Sequence, residues 1–189
     1  MLPYEMGVKA GAVTLMSGFH DISGVPASAN HYTMREVLKG RWSHDGFVVS
    51  DWGSIVQLIS QGAAEDLKEA SEKAIMAGVD MDMMSRGYDK YLKELVGEGK
   101  VPVEIVDDAV RRILRLKFRL GLFENPYIRE TTEKERFLQP EDIKIAEKLA
   151  EESFVLLKNK EKRLPLAADT KVAVIGPLGK NRWNLLGSW

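Results

Sequence analysis

The feature that most constrains the fold is an alternation of short apolar segments with helix-like segments. The apolar segments are residues 12–19 (AVTLMSGF), 47–50 (FVVS) and 79–83 (VDMDM). Such segments are too apolar to be half-exposed, which is typical of strands buried on both faces of a parallel sheet. Helical periodicity follows them at residues 33–39, 65–77, 88–96 and 102–120. Parallel strands need crossover helices, so the sequence predicts an α/β fold with helices packed outside a parallel sheet.

The composition of the chain changes after Gly121. Residues 122–141 (LFENPYIRETTEKERFLQPE) are polar and rich in turn residues, as expected of an interdomain linker. A helix is predicted at residues 141–157, and residues 171–176 (KVAVIG) are predicted to be a strand that begins a second α/β domain. Three strands are too few to close a barrel, and both ends of the sequence resemble interrupted elements. We therefore expect a piece of a longer protein.

Charge and composition exclude several classes of function. Lys and Arg number 27 against 28 Asp and Glu, so neither a nucleic acid nor an anionic membrane surface is the expected partner. No cysteine is present, which excludes disulfides and thiolate metal sites. No window approaches the roughly 18 apolar residues of a membrane span. His20, His31 and His44 show no metal-site spacing, and we expect surface positions for all three.

An acidic residue stands directly after a predicted strand in DGFVVSDWGS, residues 45–54. Ligands of parallel α/β folds bind at the carboxyl ends of the strands, and Asp51 would have its backbone fixed there by the sheet. Trp52 could supply an apolar wall for a sugar ring. Asp before Gly53 and Ser54 is equally typical of a residue that caps a turn. From these residues alone, a positioned nucleophile and a turn cap both stay open.

Four stretches of the chain resemble the family 3 glycoside hydrolases, particularly their multidomain bacterial β-glucosidases. They are DGFVVSDWGS, HDISGVPASAN, VEIVDDAVRRILRLKFRLGLFENPY, and the series SFVLLKN, LPL, KVAVIGPLG and LLGSW, which follow the order of that family. The resemblance implies that residues 1–121 are the last three units of a (β/α)8 barrel. It further implies a linker and helix at 122–165, and the first strand of an α/β sandwich domain at 166–189.

The same resemblance implies roles for individual residues. Asp51 matches the catalytic nucleophile of a retaining hydrolase, and Trp52 and Met16 match residues that line the sugar site. Phe19 stands where many relatives have a tyrosine near the nucleophile, so one hydrogen bond to Asp51 is expected to be missing. The general acid/base glutamate of the family comes from its second domain, and no residue of this chain matches it.

The resemblance also sets the partners and the alternatives. A β-glucoside or oligosaccharide is the implied substrate, and no cofactor or metal is needed by the family. β-Xylosidase specificity within the family, or a non-catalytic truncated piece, stays open as an alternative. The oligomeric state is undetermined, and a periplasmic or secreted location is expected for the longer protein. Asp80 and Asp82 are expected to form a core salt bridge or a helix cap.

Overall fold

The computed structural model describes residues 1–127 and 137–187. The chain divides into two compact units, Met1–Ile128 and Arg129–Trp189. The division falls inside the segment 122–165 that the sequence assigns to the linker. Within the described ranges, no helix is both long and apolar enough to cross a membrane.

A small parallel sheet organises the first unit. Strand β1 (Thr14–Ser17) pairs in parallel with β4 (Phe47–Ser50), so that Met16 lies beside Val49. Between them in the chain, β2 (Asp21–Ile22) and β3 (Val25–Pro26) form a separate antiparallel pair.

The third predicted strand, residues 79–83, is reduced to a parallel bridge between Met81 and Val49. The Ser50 N–H donates to the Met81 carbonyl at 2.8 Å, and the Met83 N–H donates to Ser50 Oγ at 2.9 Å. The chain turns away after this bridge, where the Asp82 side chain accepts hydrogen bonds from the N–H groups of Ser85 and Gly87. The predicted parallel order of the three segments is confirmed, although the last is too short to count as a strand.

Helical elements fill the rest of the first unit. They are α1 (Leu2–Lys9), a 3-10 helix (Ala27–Ala29), a π-helix (Tyr32–Arg41), α2 (Gln57–Ser60), α3 (Leu67–Ala77), α4 (Gly87–Gly97) and α5 (Val103–Arg119). The helix predicted at 33–39 is thus wound as a π-helix, a difference that apolar periodicity over one or two turns cannot detect.

Helix α3 shows why the local predictions succeed. The Asp66 side chain accepts a hydrogen bond from the Glu69 N–H at 2.8 Å and so caps the amino end. Gly78 ends the helix with φ of 112°, a left-handed conformation that favours glycine. Both signals are local, and the predicted helix at 65–77 is confirmed.

The sheet has one covered face and one open face. Val48 and, more loosely, Leu15 pack into a core with residues of the π-helix, α2 and α3. Side chains alternate along a strand, so Met16 and Val49 point the other way. Met16 is 55% exposed and Met81 43% exposed, which identifies this as the open face. A second cluster joins α3, α4 and α5 through Ile75, Leu95, Val101 and Ala109.

The second unit contains α6 (Pro140–Ser153) and two 3-10 helices, Lys160–Lys162 and Trp183–Leu186. The prediction of a strand at 171–176 is wrong for this structure, since no strand is formed there. Val174 is 75% exposed and Ile175 is 91% exposed. A strand needs a hydrogen-bonded neighbour, and residues 137–187 contain no other strand that could pair with it.

Candidate active site

Asp51 lies one residue beyond the carboxyl end of β4. Its N–H donates to the Ser17 carbonyl at 2.9 Å, which extends the parallel ladder past the last paired residues. Asp51 is two residues after Val49, so the alternation of side chains directs it to the open face. The sheet therefore fixes the backbone from which this half-buried carboxylate projects.

The Asp51 carboxylate is oriented by its own loop. Oδ1 accepts a hydrogen bond from the Trp52 N–H at 2.7 Å. The Asp51 carbonyl accepts from the Ser54 N–H at 3.2 Å and from Ser54 Oγ at 3.3 Å. Among the described residues, no hydrogen bond to Oδ2 is made. The side chain thus accepts from the next residue rather than from Gly53 or Ser54, as a turn cap would, and one carboxylate oxygen is still available to a ligand.

The three other sequence-predicted site residues lie around the same strand ends. Met16 is on the open face of β1, beside Val49. Val49 precedes Asp51 by two residues, which is about 7 Å along the strand. Trp52 follows Asp51 and is 51% exposed, while Phe19 lies two residues past the end of β1 and is 40% exposed. The Phe19 carbonyl accepts a hydrogen bond from Gln61 Nε2 at 2.7 Å, which ties its loop to the residue after α2.

One of these residues lines a cavity beside β1. A cavity of about 140 Å³ is bordered by β1, α1 and the π-helix, and Met16 lines it. Asp51, Trp52 and Phe19 are not among its lining residues. Asp51 therefore lies outside that cavity, on the side of the sheet that carries the exposed Met16 and Met81.

Two further acids have the structural roles expected for them. Asp80 and Lys39 form a buried ion pair at 2.6 Å, and Asp80 Oδ2 also accepts from the Val48 N–H at 2.8 Å. Burial lowers the pKa of Lys39 to about 8, and the neighbouring Asp80 carboxylate opposes that shift. Asp82 accepts from the Ser85 N–H and from the N–H of Gly87, the first residue of α4. The predictions of a salt bridge and a helix cap are confirmed.

The surface position predicted for His44 is wrong. Its exposed fraction is 4%, and Nε2 is buried with no hydrogen-bond partner among the described residues. Burial and the positive charge of Arg112 lower the pKa of His44. Arg112 Nη1 donates to the carbonyls of His44 and Gly46 at 2.8 and 2.9 Å. Helix α5 covers this loop from far along the chain, a contact that no local pattern indicates.

Three buried serines next to Asp51 were also missed. Ser17, Ser28 and Ser54 have exposed fractions of 7%, 1% and 2%, and their hydroxyls are linked by hydrogen bonds of 2.9 and 2.8 Å. Serine is common in loops, so its type alone gave no signal. Over residues 1–127 and 137–187, no cluster of three or more His, Asp or Glu side chains could hold a metal ion.

Comparison with known proteins identifies the family of the chain. The family model described as the glycosyl hydrolase family 3 N terminal domain matches residues 1–116. The periplasmic β-glucosidase of Salmonella typhimurium is 37% identical over 198 residues, covering 100% of this chain and 25% of the relative. A putative β-xylosidase of Formosa agariphila is 37% identical over 183 residues, covering 95% of this chain and 24% of the relative.

Solved structures agree with the sequence comparison. The crystal structure of β-glucosidase from Listeria innocua superimposes with a TM-score of 0.75 at 40% identity, covering 87% of this chain and 23% of that protein. The chain spans about a quarter of the length of the relatives it matches. Its α/β fold is consistent with the barrel domain of these neighbours. Since the family model covers well over half of its residues, the chain belongs to glycosyl hydrolase family 3.

Proposed function

We propose that the chain carries the nucleophile of a retaining hydrolase of the β-glucosidase type, with Asp51 in that role. The observation that carries the proposal is the position of Asp51. It lies at the carboxyl end of β4 and faces the open side of the sheet, and its Oδ1 is held by the Trp52 N–H. A carboxylate with a fixed backbone and one available oxygen suits in-line attack on a sugar carbon.

The proposed reaction has two steps. A carboxylate oxygen of Asp51 bonds to C1 of the sugar while the bond from C1 to the leaving oxygen breaks, and that oxygen takes a proton from a general acid. Water then attacks C1 as the same group, now a base, takes its proton, and the ester bond to Asp51 breaks. The released sugar keeps its β configuration.

The general acid/base is proposed to come from outside this chain. The resemblance assigns it to the second domain of the family, of which residues 166–189 are proposed to be only the start. By itself the chain should therefore be inactive on ordinary glycosides, because their leaving oxygens need a proton. Residues 1–121 are proposed to be the last three units of the (β/α)8 barrel, with 122–165 as linker and helix.

A terminal, non-reducing β-D-glucosyl unit is the proposed substrate. The Salmonella relative is named a periplasmic β-glucosidase, and the Listeria enzyme was crystallised in complex with isofagomine and with glucose. The same name supports a periplasmic or secreted location for the longer protein. The Formosa relative favours the second candidate, a β-xylosidase. Trp52, Met16 and Phe19 are proposed to contact the sugar, with Trp52 against its ring.

The test uses a leaving group that needs no proton. Incubation of the chain with 2,4-dinitrophenyl β-D-glucoside should release a burst of about one equivalent of dinitrophenolate, followed by slow turnover, since water lacks a base. Asp51→Asn should give no burst, whereas Asp82→Asn, which alters a cap rather than the site, should keep it. A larger burst from the β-xyloside would favour the second candidate, and an equal burst from Asp51→Asn would contradict the proposal.

A non-catalytic piece is the remaining alternative. Near-ultraviolet circular dichroism of the tryptophans separates the two, because a loosely packed chain loses that signal. A folded chain that gives no burst with either sugar would support the alternative.

A further inference from the structure

The structure assigns a positioning role to a chain of three buried serines that holds both sides of the Asp51 peptide backbone. This inference rests on the proposed role of Asp51. The three residues are Ser17 at the end of β1, Ser28 in the 3-10 helix and Ser54 in the loop after β4, and we call them the serine relay.

The hydroxyl groups of the serine relay all donate in the same direction, from Ser17 toward Asp51. Ser54 Oγ donates to the Asp51 carbonyl at 3.3 Å, and Ser28 Oγ donates to Ser54 Oγ at 2.8 Å. A hydroxyl has only one proton to donate. Ser28 has therefore used its proton on Ser54, and Ser17 must donate to Ser28 across their 2.9 Å contact.

The relay closes on Asp51 from the other side. The Asp51 N–H donates to the Ser17 carbonyl at 2.9 Å. Starting at that N–H, the circuit passes through the Ser17 backbone and side chain, then through Ser28 and Ser54, and returns to the Asp51 carbonyl. Both peptide groups that flank the Asp51 side chain are thus fixed by one ring of hydrogen bonds.

Burial makes these hydrogen bonds difficult to replace with bonds to water. At 7% exposure or less, none of the three hydroxyls can readily exchange a protein partner for water. A buried hydroxyl without a partner is costly, and linked bonds polarise one another, so loss of one link weakens the others. The relay lies on the covered face of the sheet, and so holds the nucleophile from behind without touching the open face.

The direction of the relay predicts a graded response. Ser54→Ala removes the bond to Asp51 itself, Ser28→Ala removes the donor to Ser54, and Ser17→Ala removes only the far link. Amide hydrogen exchange of Asp51, Trp52 and Ser54 should therefore accelerate most in Ser54→Ala, by about tenfold in Ser28→Ala, and least in Ser17→Ala. Should Ser28→Ala not fold, Ser28→Cys keeps the side-chain size with a weaker donor and should give an intermediate rate.

Ser71→Ala is the matched control. Ser71 is equally buried, at 0% exposure, but its hydroxyl donates at 2.6 Å to the Leu67 carbonyl within α3. This variant should accelerate exchange in α3 and leave the Asp51 loop unchanged. The ¹³Cγ chemical shift of the Asp51 carboxylate should move in the relay variants and not in Ser71→Ala, which a general loss of stability does not explain.

The experiment separates the inference from the proposed function. Equal exchange at Asp51, Trp52 and Ser54 in Ser28→Ala and Ser71→Ala would overturn the positioning role, even if Asp51 reacts with a glucoside. Failure of Asp51 to react would overturn the proposed function, and it would leave the exchange order as the test of how the relay holds the loop.

Discussion

The two ends of strand β4 are held in opposite ways. Before the strand, residues 44–46 are held by charged donors. Arg112 donates to two of their carbonyls, and Arg115 donates to the Asp45 carbonyl at 2.7 Å. After the strand, the loop that carries Asp51 is held by backbone hydrogen bonds and by neutral hydroxyls. Full charges support the first end, and dipoles support the second.

Given the proposed role of Asp51, this difference would let one strand serve both stability and chemistry. A cation fixed beside Asp51 would compete with substrate for the carboxylate, whereas serine hydroxyls act only on its peptide groups. At the amino end of the strand, the arginine side chains can bond to backbone carbonyls without competing for the Asp51 carboxylate. In α/β barrels generally, the amino ends of strands serve stability and the carboxyl ends carry the site.

The largest effect on stability is expected from the Lys39–Asp80 ion pair, whose carboxylate bonds the Val48 N–H in the middle of β4. Asp80→Ala leaves Lys39 buried without a counter-charge, which typically costs about 3–5 kcal/mol. Urea unfolding of this variant measures the loss. A Lys39→Met, Asp80→Leu double variant should recover part of it, because packing is restored while the Val48 N–H stays without its Asp80 acceptor. A single Asp80→Ala variant as stable as the parent would show that the pair is not buried in solution.

A smaller loss is expected at the amino end of the strand. Arg112→Ala removes the charged donor to the His44 and Gly46 carbonyls, and a hydrogen bond of this kind contributes about 1.5–3 kcal/mol. Arg111→Ala is the adjacent control, because its side chain is 66% exposed and pairs along the helix with Asp107. The control should lose about 0.5 kcal/mol or less. Equal losses of unfolding free energy in the two variants would show that the Arg112 bonds to the His44 and Gly46 carbonyls do not stabilise the amino end of β4.

Acid should weaken the amino end through His44. Its pKa is lowered in the folded chain from an ordinary value of 6.5, so the unfolded chain binds more protons just below that pH. Stability contributed by neutral His44 is therefore present above pH 6.5 and is lost as pH falls through that value toward the folded pKa. The groups that act on it are Arg112, Lys39, Asp45 and Asp80.

Replacement of His44 tests this pH dependence. His44→Leu should flatten the fall of the unfolding free energy on the acid side of pH 6.5. The parent chain, measured at the same pH values, is the reference for this slope. An unchanged slope in His44→Leu would contradict the burial of this imidazole.

The smallest effect on stability is expected at the carboxyl end. Asp51→Asn alters a half-buried side chain and keeps an oxygen that can accept from the Trp52 N–H, so it should change the unfolding free energy by about 0.5 kcal/mol or less. The same substitution should have the greatest effect on reaction with glucosides. A large loss of stability in this variant would mean that this end also holds the fold together.

The sequence predicted the elements whose signals are local. Helix α3 carries its own cap at Asp66 and its own stop at Gly78, and the apolar run of β4 needs no distant partner to be recognised. Asp51 was found because a strand end precedes it, and its role came from the family resemblance. Both depend on residues adjacent in the chain.

Contacts between distant segments could not be predicted in this way. The burial of His44 depends on Arg112, 68 residues later, and the serine relay joins a strand end, a 3-10 helix and a loop. The apolar segment 171–176 has the composition of a strand, but strand formation also depends on a neighbour to pair with. Each miss reflects the dependence of local structure on a partner that is distant in the chain.

The central claim is that Asp51 forms a covalent bond to a sugar. Its most direct test is intact-mass and peptide mapping after incubation with 2,4-dinitrophenyl 2-deoxy-2-fluoro-β-D-glucoside, because the fluorine slows hydrolysis of the ester and the leaving group needs no acid. The account predicts one fluoroglucosyl adduct on Asp51 in the parent and none in Asp51→Asn. A folded chain with no adduct, or an adduct on another carboxylate, would contradict it.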